Sequence, residues 1–143
     1  MPKPVISTAS TVWNGDLFNG SGTTGLSGSG LGPFSVDWKA RAEEGPGAKT
    51  SPEELLAAAH ATCYSMALSN GLAQNGTPPT QLDSSAEVTF VAGEGIKGVK
   101  LTVRAQVENV SAEDFARLAD EAKSGCPVSQ ALAVDITVDA SLA

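Results

Sequence analysis

The chain has 143 residues, carries a net charge of −7 at pH 7, and is 41% hydrophobic. This size suits one ordinary domain with a modest core, so we expect a single domain over residues 1–143. The acidic charge argues against partners such as nucleic acid or anionic lipid, and no apolar run approaches the roughly 20 residues of a membrane helix. The first residues lack the apolar stretch of a secretory signal, which predicts a cytoplasmic protein.

The first part of the chain predicts strands joined by turns. The β-branched and small polar residues from Val5 to Trp13 predict a strand. Residues 14–33 are rich in glycine and predict turns between short strands, or a mobile loop. Apolar and polar residues then alternate from Phe34 to Arg41, which is typical of a half-buried strand with Arg41 on its polar face.

A long helix is predicted after a loop at residues 45–51. Ser51 and Glu54 form a capping box, and Pro52 suits the first helical position. Alanine and leucine dominate as far as Leu72, and Asn75-Gly76 followed by two prolines ends the helix. Because apolar residues cover most of its surface, we expect this helix to be buried on several sides as the central element.

Strand and helix patterns alternate in the remainder. Two strands are predicted at residues 86–90 and 99–107, with a turn between them at residues 93–98. A second helix at residues 111–125, a short helical turn at residues 127–132 and a closing strand at residues 134–138 are predicted after them. Ser111 with Asp114 marks the start of the second helix. This order predicts an α+β fold in which antiparallel sheet packs on a central helix.

One face of the long helix gathers chemically active groups. Helical spacing places Glu53, Leu56, His60, Cys63 and Ala67 on one face. A thiol in the middle of a helix gains little from the helix dipole, so a thiolate at Cys63 needs a nearby cation. Arg41 is the candidate, because a guanidinium can hold the Glu53 carboxylate with one edge and face the thiolate with another.

Glu53 and Cys63 are separated along this helix. Ten residues of helix rise by about 15 Å, so an arginine bound to Glu53 could hardly also touch Cys63 of the same helix. The hypothesis that follows is that Arg41 and Glu53 reach the Cys63 of a second subunit across a two-fold interface.

The second cysteine lies at a predicted helix start. Cys126 stands between Gly125 and Pro127, at a potential N-cap where backbone amides favour a thiolate. This position suits a thiol that must meet another thiol. The alternative is a small buried hydrophobe at a turn, and in a reducing compartment two cysteines are not a structural disulfide by default.

Other chemistries have weaker support. His60 is the single histidine, and a lone histidine among alanines is more often a satisfied core residue than a catalyst. His60, Cys63 and Cys126 could together offer three zinc ligands. Strong zinc sites have ligands in two closely spaced pairs, and the sequence has no second pair, so we predict no metal site. The sequence also lacks a phosphate-binding glycine loop and a nucleophile elbow, and we predict no bound cofactor.

Both cysteine motifs carry a family resemblance. Residues 51–56, 58–69 and 125–132 closely resemble the OsmC/Ohr family, and Trp13-Asn14-Gly15-Asp16 extends the similarity over nearly the whole chain. His60 and the residues after Cys126 resemble the osmotically inducible OsmC branch more than the organic hydroperoxide resistance branch. The resemblance implies an intertwined, swapped homodimer with antiparallel sheets wrapped around central helices.

The same resemblance implies an activity. It implies a peroxidase of oxidative and osmotic stress defence, which reduces alkyl or lipid hydroperoxides with Cys63 as the peroxidatic thiol and Cys126 as the resolving thiol. Arg41 and Glu53 match the arginine and carboxylate that the family takes from the partner subunit. The implied reductant is a dithiol of the lipoyl type.

Two alternatives from other functional classes stay open. The first is a non-catalytic stress protein or small-molecule-binding protein, in which both thiols would be inert to peroxide. The second is a thiol-dependent hydrolase or transferase that uses Cys63 with His60, in which replacing His60 would abolish activity.

Overall fold

The computed structural model describes residues 2–43 and 47–143. The strands are β1 (Ser10–Asn14), β2 (Ser21–Leu26), β3 (Leu31–Val36), β4 (Pro79–Val91), β5 (Gly95–Val107) and β6 (Asp135–Leu142). The helices are α1 (Trp38–Ala42), α2 (Pro52–Gln74), α3 (Ala112–Gly125) and α4 (Pro127–Ala131). The chain divides into a first unit, Met1–Pro52, and a second unit, Glu53–Ala143. Each unit has its own three-stranded sheet.

The sheet of the first unit is an antiparallel meander in the order β1-β2-β3. Its first strand is shorter than predicted, because the pairing with β2 begins only at Ser10↔Gly25 and leaves residues 5–9 outside the ladder. The glycine-rich residues 14–33 hold the predicted turns, but they also contain all of β2. Glycine there is compatible with a strand whose neighbours approach closely, since a Cβ at Gly22 would lie 2.5 Å from the Val12 carbonyl oxygen.

The predicted strand over residues 34–41 is wrong in its second half. β3 ends at Val36, and the Asp37 carboxylate then accepts a hydrogen bond from the Ala40 amide at 2.8 Å, which caps α1. Arg41 therefore lies on a short helix and not on the polar face of a strand. Four alternating residues fit either one helical turn or a strand, and the capping aspartate decides between them here.

The structure describes the predicted loop at residues 45–51 from residue 47 onward. Residues 45 and 46 lie outside the described residues. Gly47 and Ala48 form a turn, and the Thr50 amide donates to the Ser35 carbonyl at 2.8 Å. This hydrogen bond joins Thr50 to β3 within the first unit.

The sheet of the second unit is mixed. β4 and β5 form a long antiparallel hairpin, whose turn is confined to residues 92–94, and β6 pairs with β5 in parallel. The α+β class is confirmed, but the expectation of purely antiparallel pairing is wrong for β6. The physical reason is the connection, because α3 and α4 carry the chain back to the start of β5 before β6 begins, as a parallel pair requires.

Helix α2 ends as predicted. Gly76 has φ +82°, the Thr77 amide donates to the Leu72 carbonyl at 2.9 Å, and the Gly76 amide donates to the Ala73 carbonyl at 3.0 Å. These two bonds form a Schellman motif, which satisfies the last carbonyls of the helix.

The core of the second unit lies between α2, α3 and one face of β5. From α2 the buried residues are Glu53, His60, Tyr64, Leu68 and Leu72. Of these, Tyr64, Leu68 and Leu72 pack in one cluster with residues of β5 and α3, which are Val99, Leu101, Val103, Ala105, Phe115, Leu118, Ala119 and Ala122. The expectation that α2 is buried on several sides is wrong for a single chain, since Met66 is 68% exposed. One sheet and one helix cover one face of α2 and leave the other open.

Helix α3 begins as predicted, because the Ser111 hydroxyl accepts a hydrogen bond from the Asp114 amide at 3.0 Å. The predicted short helical turn after Cys126 is α4, and the predicted closing strand is β6. Among the residues that the structure describes, no helix is both long and apolar enough to cross a membrane.

Candidate functional site

The two cysteines meet inside the second unit. Cys63 lies in the middle of α2 and is partly exposed, whereas Cys126 joins α3 to α4 and is fully buried. Both are reduced, and each thiol is a hydrogen-bond partner of the other. The fold therefore brings together two thiols that are far apart in sequence.

Cys126 is fixed by its backbone. Its amide donates to the Ala122 carbonyl at 3.0 Å, and its own carbonyl accepts from the Gln130 amide at 3.1 Å. Cys126 is thus both the C-cap of α3 and the N-cap of α4, and Pro127 occupies the first position of α4. The predicted N-cap position is confirmed, and the sulfur is held where two helices meet.

The surroundings of Cys126 favour its thiolate. Burial acts to raise the pKa of Cys126, but hydrogen bonds from the Cys63 thiol, from the Ser129 amide and hydroxyl, and from the Val128 amide outweigh it and lower the pKa below the ordinary value. The lowered pKa therefore comes from several donors around the sulfur and not from one capping contact.

The surroundings of Cys63 act in the opposite direction. Burial raises its pKa first, the hydrogen bond with Cys126 raises it further, and the Val128 amide only partly offsets both. In the reduced pair, Cys126 is thus the more acidic thiol. This agrees with the expectation that a thiol in the middle of α2 needs a cation before it becomes a thiolate.

A hydrogen bond links the two elements that carry the cysteines. His60 Nε2 lies 2.7 Å from the Ser129 hydroxyl oxygen, and the imidazole is fully buried. Burial lowers the pKa of His60, so the ring is neutral at pH 7. Its other nitrogen, Nδ1, is buried and has no hydrogen-bond partner among the described residues.

Sequence reasoning missed Ser129. The signal was available, because a hydroxyl three residues after an N-cap lies in the first turn of the helix, close to the capping residue. The residue that would complete the interaction, His60, comes from another part of the chain, and only the tertiary structure joins them.

The two other predicted site residues lie in different units. Glu53 is in the first turn of α2, in the second unit, and is only 6% exposed. Arg41 is on α1, in the first unit, and is partly exposed. Their predicted roles beside Cys63 stay predictions.

Within the described part of the chain, no group of three or more His, Cys, Asp and Glu side chains could hold a metal ion.

Comparison with known proteins identifies similar sequences. The family of OsmC-like proteins matches residues 45–141. Peroxiredoxin OsmC of Escherichia coli strain K12 is 38% identical over 135 residues, which span 91% of this chain and 92% of the relative. The organic hydroperoxide resistance protein OhrA of Bacillus subtilis strain 168 is 34% identical over 94 residues, covering 63% of this chain and 66% of the relative.

Solved structures share the fold. An OsmC-like protein from Mycoplasma pneumoniae gives a TM-score of 0.73 at 16% identity and covers 99% of both chains. The organic hydroperoxide resistance protein OhrB of Bacillus subtilis gives a TM-score of 0.61 at 23% identity, over 95% of this chain and 98% of that protein.

Proposed function

This chain belongs to the OsmC-like family, and on that premise we propose that it is a thiol peroxidase that reduces organic hydroperoxides to alcohols. The observation that carries the proposal is the mutual contact of two reduced thiols, one partly exposed and one buried. Two inert core cysteines have no need to be hydrogen-bond partners. The names of the relatives, a peroxiredoxin and organic hydroperoxide resistance proteins, support the same class of activity. We propose that this activity serves oxidative and osmotic stress defence.

In the proposed reaction, the Cys63 thiolate attacks one peroxide oxygen of ROOH. A sulfur–oxygen bond forms as the oxygen–oxygen bond breaks, and the leaving alkoxide takes a proton to become ROH. Cys63 is then a sulfenic acid. The Cys126 thiolate attacks this sulfur, the sulfur–oxygen bond breaks as the disulfide forms, and the hydroxide that leaves takes a proton from solvent to become water. An external dithiol reduces the disulfide by exchange and restores both thiols.

The assignment of the two roles follows from access. Cys63 is partly exposed and can meet a substrate from solution, whereas Cys126 is fully buried and can meet only a group already inside the protein. The lowered pKa of Cys126 fits the resolving role, because a thiolate is the species that attacks a sulfenic acid. We therefore assign Cys63 as the peroxidatic thiol and Cys126 as the resolving thiol.

The raised pKa of Cys63 implies that a cation completes the site. We propose that Arg41 of a second subunit supplies this charge in a swapped homodimer, and that Glu53 of the same subunit holds the guanidinium in place. The exposed face of α2 around Met66 supports a second copy there. A mixing experiment tests the arrangement: Cys63→Ser and Arg41→Met proteins, each inactive alone, should regain activity when co-expressed, because one mixed site then holds both residues. Mixed dimers that stay inactive would contradict the arrangement.

Apolar hydroperoxides are the proposed substrate class. Half-buried Leu56 and Ala67 lie near Cys63 along α2, and burial of apolar substrate surface contributes about 25 cal/mol per Å². Alkyl and lipid hydroperoxides should therefore react more efficiently than hydrogen peroxide. Equal efficiency with hydrogen peroxide would contradict this substrate preference. We place the reaction in the reducing cytoplasm, with a lipoyl-type dithiol as the reductant.

The central experiment measures consumption of tert-butyl hydroperoxide in the presence of a dithiol. The wild type should turn over, Cys63→Ser should not, and Cys126→Ser should react once and accumulate a sulfenic acid. A wild type whose thiols remain unchanged in excess hydroperoxide would overturn the proposal in favour of a binding protein with incidental thiols. The hydrolase alternative has no supporting observation, since His60 is hydrogen-bonded to Ser129.

A further inference from the structure

The contact between His60 and Ser129 spans the two elements that carry the thiols. His60 lies one turn before Cys63 on α2, and Ser129 lies one turn after Cys126 on α4. Their side chains meet at 2.7 Å in a buried environment. This side-chain hydrogen bond therefore joins the helix that carries the partly exposed thiol to the helix that begins at the buried one.

The direction of this hydrogen bond can be worked out. A neutral imidazole has one N–H, and a serine hydroxyl has one proton. If the hydroxyl donated to Nε2, the imidazole proton would be on Nδ1, where no acceptor lies among the described residues. If Nε2 donates instead, the hydroxyl proton is free to bond the Cys126 sulfur. The second arrangement makes two hydrogen bonds where the first makes one, and it leaves no buried N–H unpaired.

We propose that His60 and Ser129 form a one-way hydrogen-bond relay, from His60 Nε2–H to Ser129 Oγ and from Ser129 Oγ–H to Cys126 Sγ, which prepares the resolving thiol. This inference rests on the proposed peroxidase function and extends it to two further residues. Ser129 stabilises the Cys126 thiolate directly. His60 is a positioning residue, because it acts through the orientation of the Ser129 hydroxyl.

The electrostatics of the pair support the relay. Cys126 is fully buried, and burial alone would raise its pKa, yet donors that include the Ser129 hydroxyl lower it. His60 is kept neutral by burial, so it can hold its single proton on Nε2. The relay should therefore speed the second chemical step, disulfide formation, and leave the first step, attack of Cys63 on the hydroperoxide, nearly unchanged.

The size of the effect follows from the strength of one hydrogen bond to an anion. Loss of such a bond changes an ionisation equilibrium by about tenfold. Part of the resulting loss in rate is recovered, because a less acidic thiol is a stronger nucleophile. We expect disulfide formation to slow by about threefold to tenfold in Ser129→Ala, with formation of the Cys63 sulfenic acid unaffected.

The first test needs no substitution and no activity. His60 is the only histidine in the chain, so the imidazole nitrogen signals in a ¹⁵N NMR spectrum of the reduced wild type belong to it alone. The expected result is a neutral ring protonated on Nε2 at pH 7 and above, because burial lowers the pKa of His60. A ring protonated on Nδ1, or a ring that is doubly protonated at pH 7, would overturn the relay.

The second test separates the two residues. In a Cys63→Ser protein, thiolate absorbance reports the ionisation of Cys126 alone. Adding Ser129→Ala should shift the Cys126 midpoint upward by about one pH unit, and His60→Leu should also raise it. Ser129→Thr and His60→Gln are the matched controls, because each keeps a donor at the required position. Equal midpoints in all variants would overturn the relay, whether or not the protein consumes hydroperoxide.

Discussion

Helix α2 carries Cys63, so the stability of its buried face decides how firmly the site is held. Leu68 lies one turn beyond Tyr64 on this face and is completely buried. Leu68→Ala removes three carbon atoms from a site packed between β5 and α3. Substitutions of this kind cost about 3 to 5 kcal/mol, which combines the lost transfer free energy with the cavity left behind.

That cost is large for this protein. Domains of this size unfold with about 5 to 15 kcal/mol. With 143 residues, each kcal/mol corresponds to roughly 3 °C in melting temperature. We therefore expect Leu68→Ala to lower the melting temperature by roughly 10 to 15 °C.

The assays are urea denaturation for the free energy of unfolding and thermal denaturation for the melting temperature. Both are followed by circular dichroism at a fixed protein concentration, because dimerisation would make the midpoints depend on concentration. Gln74→Ala, at an exposed position on the same helix, is the control and should change the free energy of unfolding by less than about 0.5 kcal/mol. A loss below about 1 kcal/mol for Leu68→Ala, with an unchanged denaturant slope, would refute the view that this face anchors α2.

Four further outcomes follow from other parts of the structure. Tyr64, the only tyrosine, has a raised pKa because of burial and then the charge of Asp120, so tyrosinate absorbance should appear only well above pH 10. Because the pKa of Tyr64 in the folded protein exceeds the unfolded value of about 10, the neutral phenol contributes fully to stability below pH 10. This contribution is lost as the pH rises through the folded pKa. Tyrosinate absorbance that rises at pH 10 without unfolding would contradict this. Gly76→Ala should destabilise by about 1 kcal/mol in urea denaturation because Gly76 has φ +82°. Gly71→Ala, inside α2 with only an ordinary 3.7 Å contact to Leu118, should stabilise by about 0.5 to 1 kcal/mol. Ser111→Ala should cost about 1 kcal/mol in the same assay, because it removes the cap bond to Asp114 at 3.0 Å; equal midpoints with the wild type would contradict that role.

Local sequence signals sufficed wherever a structure is stabilised by near neighbours. The ends of α2, the start of α3 at Ser111 and the N-cap position of Cys126 follow from capping residues, prolines and glycines within a few positions of each boundary. Both cysteines could also be selected from sequence, since their motifs and the resemblance to the OsmC/Ohr family pointed to them. These features depend on hydrogen bonds that the chain makes with itself over one helical turn.

Other features depend on contacts between distant segments, and the sequence left them open or misjudged them. The alternation over residues 34–41 fitted a strand, but the Asp37 cap gives a helix that carries Arg41. The parallel pairing of β6 follows from the path of α3 and α4, which no residue pattern within β6 specifies. The meeting of Cys63 with Cys126, and of His60 with Ser129, required α2 and α4 to pack together. Burial and hydrogen bonding across such contacts set the acidity of each thiol, which is why the sequence alone could name the cysteines but not their order of acidity.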